Sequence, residues 1–334
     1  MTLRPGMRKG RRILVITLLT CLACLGFAPA QGDLGGTPSA AALVPVRLAN
    51  LGVGLASMPQ ALAIERGIFT RNGIDLRVIN FVNGGAEATA GVASGQVDIG
   101  SYGTPILIGL AFGLPIKIVA SPPVKVTGFE LVAKPEIHSV KDLKGQVVTS
   151  GALGGGSHQA LLKILQSNGL SDSEVKIVAA GGADAEMVLR SGRVAAVVTS
   201  EPTRRKLEDD GRGRLIAKAS DYYGRHQHGF IFATNAFIAK HPDSVRAYLR
   251  ATRESLQYAQ THLDELVDFS AARIRLKKDI IRAYFEEQFK VWDLSFQVDV
   301  EGTANAVQVL KELKEIKATA VFDPNTWLDT RFLN

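Results

Sequence analysis

Residues 151–165 read GALGGGSHQALLKIL: a run of glycines, then Ser157-His158, then an amphipathic helix. A glycine-rich turn that feeds a helix gathers unpaired backbone N–H groups at one point, which suits an anion. Three familiar uses of such a turn fail on residue type. A phosphate-cradling loop needs Gly-x4-Gly-Lys-Ser/Thr, but from Gly151 the chain gives Gly156, Ser157 and His158, with no lysine. A dinucleotide fingerprint needs a third glycine where Gln159 stands after Gly154 and Gly156. A nucleophile elbow needs glycine two residues to either side of the serine, and Gln159 breaks it again. What is left is half of a binding site. Gly155 and Gly156 admit a ligand without a Cβ in the way, while Ser157 and His158 offer donors. The plainer alternative has Ser157 capping the helix and His158 facing solvent. No catalytic residue, metal set or cofactor is assigned. The pair His226-x-His228 puts two imidazoles on one strand face, but spacing supplies no third ligand, so a hinge or surface role is preferred.

The elements that hold this turn alternate from Val46 onward. VRLAN, DLRVINF, VDIGSY and IKIVAS read as strands, followed by FELVA, QVVTS, VKIVAA, AAVVTS and RLIAKA. Helices separate most of them, which indicates right-handed crossovers and a mostly parallel sheet. One repeat organises the pattern. Residues 88–105, ATAGVASGQVDIGSYGTP, match residues 185–202, AEMVLRSGRVAAVVTSEP, at a constant offset of 97. Ser94-Gly95 matches Ser191-Gly192, Val97 matches Val194 and Pro105 matches Pro202. Two similar α/β lobes, each with its own sheet, follow. After residue 230 long amphipathic helices take over, and they are assigned to the first lobe with their charged faces in solvent.

In open α/β sheets the ligand crevice lies beyond the strand C-termini, at helix starts. That rule nominates Ser57, Asn83-Gly84-Gly85 and Tyr102-Gly103-Thr104 in the first lobe. To the second lobe's Gly155, Gly156, Ser157 and His158 it adds Asp184 and Glu201. Tyr102 suits either stacking on a ligand or an ordinary core place. Glu201 suits either a ligand donor or the positive end of its helix.

The ends of the chain carry a different message. Arg4, Arg8, Lys9, Arg11 and Arg12 precede the apolar run ILVITLLTCLACLGFA and Ala28-Pro29-Ala30, the make-up of an export signal cut after Ala30. Lipidation at Cys24 is the weaker alternative. Those five positive charges leave +2 of the formal +7 on the mature chain, which argues against a nucleic-acid partner. Cys21 and Cys24 depart with the signal, so the mature chain has no thiol for disulfides, metal or nucleophilic chemistry. Residues 31–45 read as a flexible leader.

PQALAIERGIFTRNGIDLRV, ASGQVDIGSYGTP, GLPIKIVAS, SVKDLKGQVV, HQALLKILQSNGL, RSGRVAAVVTSEP and KHPDSVRAYLRA stand in that order over most of residues 46–260. In these pieces the chain resembles the taurine/nitrate/sulfonate-binding proteins of ATP-driven uptake systems, relatives of the thiamine-pyrimidine-precursor binders. Ala195 departs from the acidic residue usual there, at a turn position taken to be structural. The resemblance implies a two-lobed type II periplasmic-binding-protein fold, each lobe a mostly parallel sheet flanked by helices, with ligand in the cleft between them. Lobe one would hold 46–126 and 230–334, and lobe two 127–229, with crossings near 124–129 and 223–230. It further implies a monomeric periplasmic receptor, not spanning the membrane, that hands a small anionic or polar solute to an ABC permease and its ATPase. Sulfonate, nitrate, taurine-like, carboxylated aromatic and pyrimidine-like solutes all stay open, because no arginine or lysine marking a dedicated oxyanion site can be located from spacing. The rival is an enzyme on the same scaffold, of desulfinase or pyrimidine-synthesis type, disfavoured by the missing cysteine. Micromolar binding needs about −8 kcal/mol, whereas one helix start gives an anion roughly 0.3–1 kcal/mol. Closure of two lobes therefore has to supply the rest.

Overall fold

The computed structural model describes residues 43–333 apart from 52–53, 82–83 and 181–182. The export signal over 1–30, most of the leader and Asn83 lie outside the described residues. The first strand opens two residues earlier than predicted, inside the leader, because Val44 already pairs with Ile74. The chain then runs β1 (Val44–Asn50), α1 (Met58–Glu65), α2 (Ile68–Arg71), β2 (Ile74–Asn80), α3 (Gly85–Ala93), β3 (Ile99–Tyr102), α4 (Pro105–Ala111) and β4 (Ile116–Ala120). It continues through β5 (Glu130–Ala133), β6 (Val147–Thr149), α5 (Gly156–Ser167), β7 (Lys176–Val178), α6 (Ala183–Arg190), β8 (Ala196–Thr199), α7 (Thr203–Asp209) and β9 (Arg214–Lys218). After α8 (Ser220–Tyr223) and β10 (Phe230–Thr234) come α9 (Asn235–Lys240), α10 (Pro242–Thr261), α11 (Leu263–Ala271), α12 (Lys278–Val291), α13 (Val300–Glu312) and α14 (Pro324–Trp327).

Two five-stranded sheets result, in the orders β2-β1-β3-β10-β4 and β7-β6-β8-β5-β9. Both are mixed. In the first, β10 runs antiparallel to β3 and β4; in the second, β5 runs antiparallel to β8 and β9. The reversed strand is in each case the one that arrives directly from the other sheet. Inner strands such as FIFAT and AVVT are nearly all buried and apolar, as expected between helical layers. The edge strand β2, IDLRVIN, carries charge and exposure that discourage further pairing.

The repeat survives in register. Leu48 pairs with Ile99 in the first sheet and Val148 with Ala196 in the second, so β3 and β8 hold the same place 97 residues apart. Before each, Gly95 (φ 75°) and Gly192 (φ 73°) turn left-handed, a conformation that costs glycine little.

On one face of the first sheet, Phe69, Val245 and Tyr248 from α2 and α10 pack against Val46 and Leu48. On the other, Ile106, Leu107, Ala306, Val307 and Trp327 bury Phe230 and Phe232. The second sheet is covered by Leu161, Ile164 and Leu165 of α5 on one side and Ala185, Leu189 and Leu207 of α6 and α7 on the other. One helix departs from the expected arrangement. The sequence assigns the C-terminal helices to the first lobe, yet Val309 of α13 enters the second lobe's core while Val307 and Leu310 enter the first's. Lys163 of α5 also reaches Glu312 at 3.0 Å.

The chain crosses between sheets at 121–129 and 219–229, and the crossings are tied together. His228 N donates to Lys125 O at 2.8 Å. Both rest on a third segment, through Ser121 N to Phe296 O (2.8 Å) and Gln227 N to Gly302 O (3.0 Å). Among the described residues no helix is long and apolar enough to cross a membrane.

Candidate functional site

A cleft of about 1300 Å³ opens between the sheets, at the ends the helix-start rule indicated. From the first lobe Ser57, Gly84, Gly85 and Gly103 line it; from the second, Gly155, Gly156, Ser157, Asp184 and Glu201 do. Several of these side chains are already engaged. Ser57 donates to Gly54 O at 2.8 Å within the turn before α1. Ser157 donates to the carbonyl of Ser150, and the helix N-cap is Gly155 rather than Ser157. The Glu201 carboxylate pairs with Arg204 and lies 3.7 Å from Arg205.

Tyr102, Thr104 and His158 are brought elsewhere than the cleft wall. Tyr102 is buried with its ring edge-on to Phe232 at 5.0 Å and its hydroxyl 3.2 Å from Thr89 Oγ1. Burial pushes its pKa upward. Thr104 is buried and donates to Gln159 Oε1, a bond from one lobe to the other. His158 Nδ1 accepts from Gly154 N at 3.2 Å and sits 3.9 Å from Glu315. Half-burial pushes that imidazole below its ordinary pKa.

The centre of the arrangement is His228, which the helix-start rule did not nominate. A Cβ on Gly103 would fall 3.0 Å from its Nε2, and a Cβ on Gly156 would fall 3.5 Å from its Cε1 and 3.2 Å from Phe129. These two loop glycines therefore make room for the protein's own crossing segments as well as for a ligand. His228 packs edge-on to Phe129 at 5.4 Å and lines the cleft. Burial holds its pKa down at about 4, so the ring is neutral at pH 7. His226 lies behind it, stacked on Tyr223 at 4.3 Å, and is pushed down to about 3 by burial, with the neighbouring His228 and Lys163 adding to it. Among the described residues no group of three His, Cys, Asp or Glu side chains could hold a metal ion.

Sequence reasoning also missed an aromatic wall. Tyr248 of α10, Tyr284 and Phe285 of α12 and Trp292 just beyond line the cleft, with Gln288 among them. Tyr284 is pushed up to about 12 by burial and by the charge of Glu201, which places α12 opposite the second lobe's helix start. One signal was available. Phe285, Phe289 and Trp292 form an i, i+4, i+7 stripe, and Tyr284 and Gln288 form a second row beside it, wider than a helix covered on one side needs. Taken together the walls can close on a flat ring between aromatic and backbone faces. The neighbours Ser157 and His158 do not form a ready couple, since the Ser157 hydroxyl and the His158 Nδ1 are each engaged with backbone.

Two mixed sheets joined by paired crossings around a cleft define the periplasmic-binding-protein fold. Solved structures agree. The alkanesulfonate-binding protein SsuA of Xanthomonas axonopodis pv. citri, bound to MOPS, superposes with a TM-score of 0.68 at 19% identity, over 82% of this chain and 93% of that one. The nitrate-binding protein NrtA of Synechocystis PCC 6803 gives 0.65 at 13%, over 83% of each chain. Within that fold the chain belongs to the NMT1/THI5-like family, whose model matches residues 56–265. Among its relatives is the riboflavin-binding protein RibY of Chloroflexus aurantiacus, 26% identical over 269 residues, 77% of this chain and 75% of that protein.

Proposed function

We propose that this chain is an extracytoplasmic solute receptor that closes over a small organic molecule and delivers it to an ABC permease and its ATPase. On this reading residues 1–30 direct export, the mature protein works as a monomer in the periplasm, and no covalent chemistry is done. The observation that carries it is the cleft itself, open between two lobes, with helix starts from both and with neutral His228 at the base. The relatives named above, as receptors for sulfonate, nitrate or riboflavin, support a binding rather than a catalytic role. The aromatic wall favours a ring-bearing solute over nitrate or taurine, because apolar ring faces contribute little to so small and hydrated an ion. Sulfonates, pyrimidines, flavins and aromatic carboxylates form the first panel. The test is a thermal-shift screen of the mature protein across those classes and nitrate, with small-angle scattering on each hit. A saturable shift with compaction and unchanged solute is expected. Turnover of a hit, or no compaction with any solute, overturns the proposal.

A further inference from the structure

Four charged residues line the cleft, and they differ in what holds them. Glu201 is committed to Arg204, and Lys206 to Glu186 at 2.8 Å. The side chains of Asp184 and Arg275 have no hydrogen bond or ion pair among the described residues. Asp184 is exposed in the first turn of α6, where the helix end already favours a negative charge. Arg275 has no such compensation.

Its loop, 272–277 between α11 and α12, is nevertheless well fixed. Ile274 and Leu276, on either side, line the cleft and pack on the cluster of Leu266, Ile281 and Phe285. Ile274 N donates to Ser270 O at 2.8 Å. The loop's other arginine is spent on structure, for Arg273 pairs with Glu65 at 2.6 Å and lies over the Phe269 ring at 3.5 Å. Arg275 thus projects from an anchored loop at the start of the helix that carries Tyr284, Phe285 and Gln288. While the cleft is open, water solvates the guanidinium. Closure would strip that water, and a cation buried without a partner opposes closure. A planar fork of donors is also the group best matched to a carboxylate, sulfonate or phosphate.

We infer that Arg275 is the specificity-determining residue of this cleft and pairs with an acid group on a ring-bearing solute as the lobes close. This rests on the receptor reading and names its solute class. The ring lies against Tyr284 and Trp292, and the acid group lies toward the α11–α12 loop. Without the anion, closure leaves Arg275 unpaired, so neutral analogues are rejected.

The experiment is calorimetry with matched pairs, benzoate against benzamide and 2-naphthoate against 2-naphthamide, with cyclohexanecarboxylate as a ring-shape control. Wild type is expected to bind the aromatic acids at least tenfold more tightly than their amides. Arg275→Gln should erase that preference by weakening the acids and tightening the amides, with the unliganded melting temperature unchanged, and Arg275→Lys should restore part of it. Asp184→Asn should leave the preference intact. Equal binding of acids and amides by wild type, or a preference that survives Arg275→Gln, overturns the assignment. Equal weakening of acids and amides in Asp184→Asn assigns Arg275 to a lobe-to-lobe ion pair instead. Binding of cyclohexanecarboxylate as tight as that of benzoate overturns the placing of an aromatic ring against Tyr284 and Trp292. If another solute closes the lobes while all three acids fail to bind, this inference falls and the receptor reading stands; if nothing closes them, both fall.

Discussion

The two copies of the repeat share a register but not a chemistry. Strand β3 matches β8, Pro105 matches Pro202, and Leu110 and Leu207 are buried at equivalent points of α4 and α7. Yet Leu107 corresponds to Arg204. Leu107 is wholly buried beneath α13 and α14, whereas Arg204 gathers three carboxylates, Glu130 at 2.8 Å with Glu201 and Glu208. The extra C-terminal helices explain the difference. They cover α4 and leave α7 facing water and the cleft, so one copy is finished with apolar contacts and the other with ions. The lesson is that a duplicated frame sets where helix starts lie, while the added segments decide which of them become a binding wall.

Substituting the matched pair breaks this comparison most directly. Leu107→Ala should cost about 2–5 kcal/mol through an unfilled cavity, with little dependence on pH. Arg204→Ala should cost about 2–4 kcal/mol at pH 8, since it strands carboxylates that are partly buried. Its pH dependence is the sharper readout. Burial already pushes Glu130 above its ordinary value, more than Arg204 pulls it down. Without Arg204 that carboxyl rises further and holds a proton in the folded state that the unfolded chain has released. Stability lost at pH 8 should therefore return in part as the pH falls toward 5. Urea titrations at the two pH values check it, and a deficit that stays constant would show that Glu130 takes up no extra proton in the folded state.

How much of this could be read beforehand follows the same division. The repeat, the strand positions and the helix starts were legible because period-two and helical patterns, with Pro and Gly at the joints, are local signals. Gly156 was found as a close-approach point and Gly103 as part of a helix start, but what approaches them was not. His228 is 125 residues from Gly103, and only the fold brings it there. Tyr102 and Thr104 were nominated by their place at a strand end, and the sequence could not say that Phe232 and Gln159 would occupy them. The wall of Tyr284 and Trp292 was hidden for another reason. An apolar stripe on a helix looks the same whether it meets a core or an open cleft, and only the second row of Tyr284 and Gln288 set this one apart.

The crossings belong to neither copy, and His226 measures what their burial costs. Its pKa is held near 3, against an ordinary 6.5, and both ring nitrogens lack hydrogen-bond partners among the described residues. The unfolded chain takes up the proton first as the pH falls below 6.5, so the folded state loses stability on acidification. His226→Phe keeps the stack on Tyr223 and removes the titration. It should gain about 2 kcal/mol over wild type at pH 5 and much less at pH 8. Equal differences at both pH values would mean that the ring titrates normally.

Between the two helix-start loops the comparison narrows to single atoms. A Cβ at Gly103 meets the His228 carbonyl at 3.3 Å as well as the ring, whereas at Gly156 its nearest neighbours are the side chains of Phe129 and His228. Backbone yields less readily than a ring. Gly103→Ala is expected to cost about 1–3 kcal/mol. Gly156→Ala should cost well under about 1 kcal/mol, because alanine also favours the helix it starts. Thermal melts of the two variants without ligand decide between these, and a reversed order would place the tighter approach in the second lobe.

The weakest expected effect concerns the tie that α13 makes between the copies. Lys163 and Glu312 are 3.0 Å apart, with the carboxylate side chain 40% exposed, so water and salt screen the pair. A double-mutant cycle with Lys163→Met and Glu312→Gln should give a coupling of about 0.2–1 kcal/mol that fades in high salt. Its interest lies in ligand binding. Val309 already anchors α13 in the second lobe's core, and Asn305 donates to the carbonyls of Tyr223 (2.8 Å) and Arg225 (2.7 Å) on the crossing. If α13 stays with both lobes while they rotate, the coupling is the same with and without solute. A coupling that disappears on ligand addition would place α13 with the first lobe alone, as first expected, and would move the pivot from this helix to the crossings.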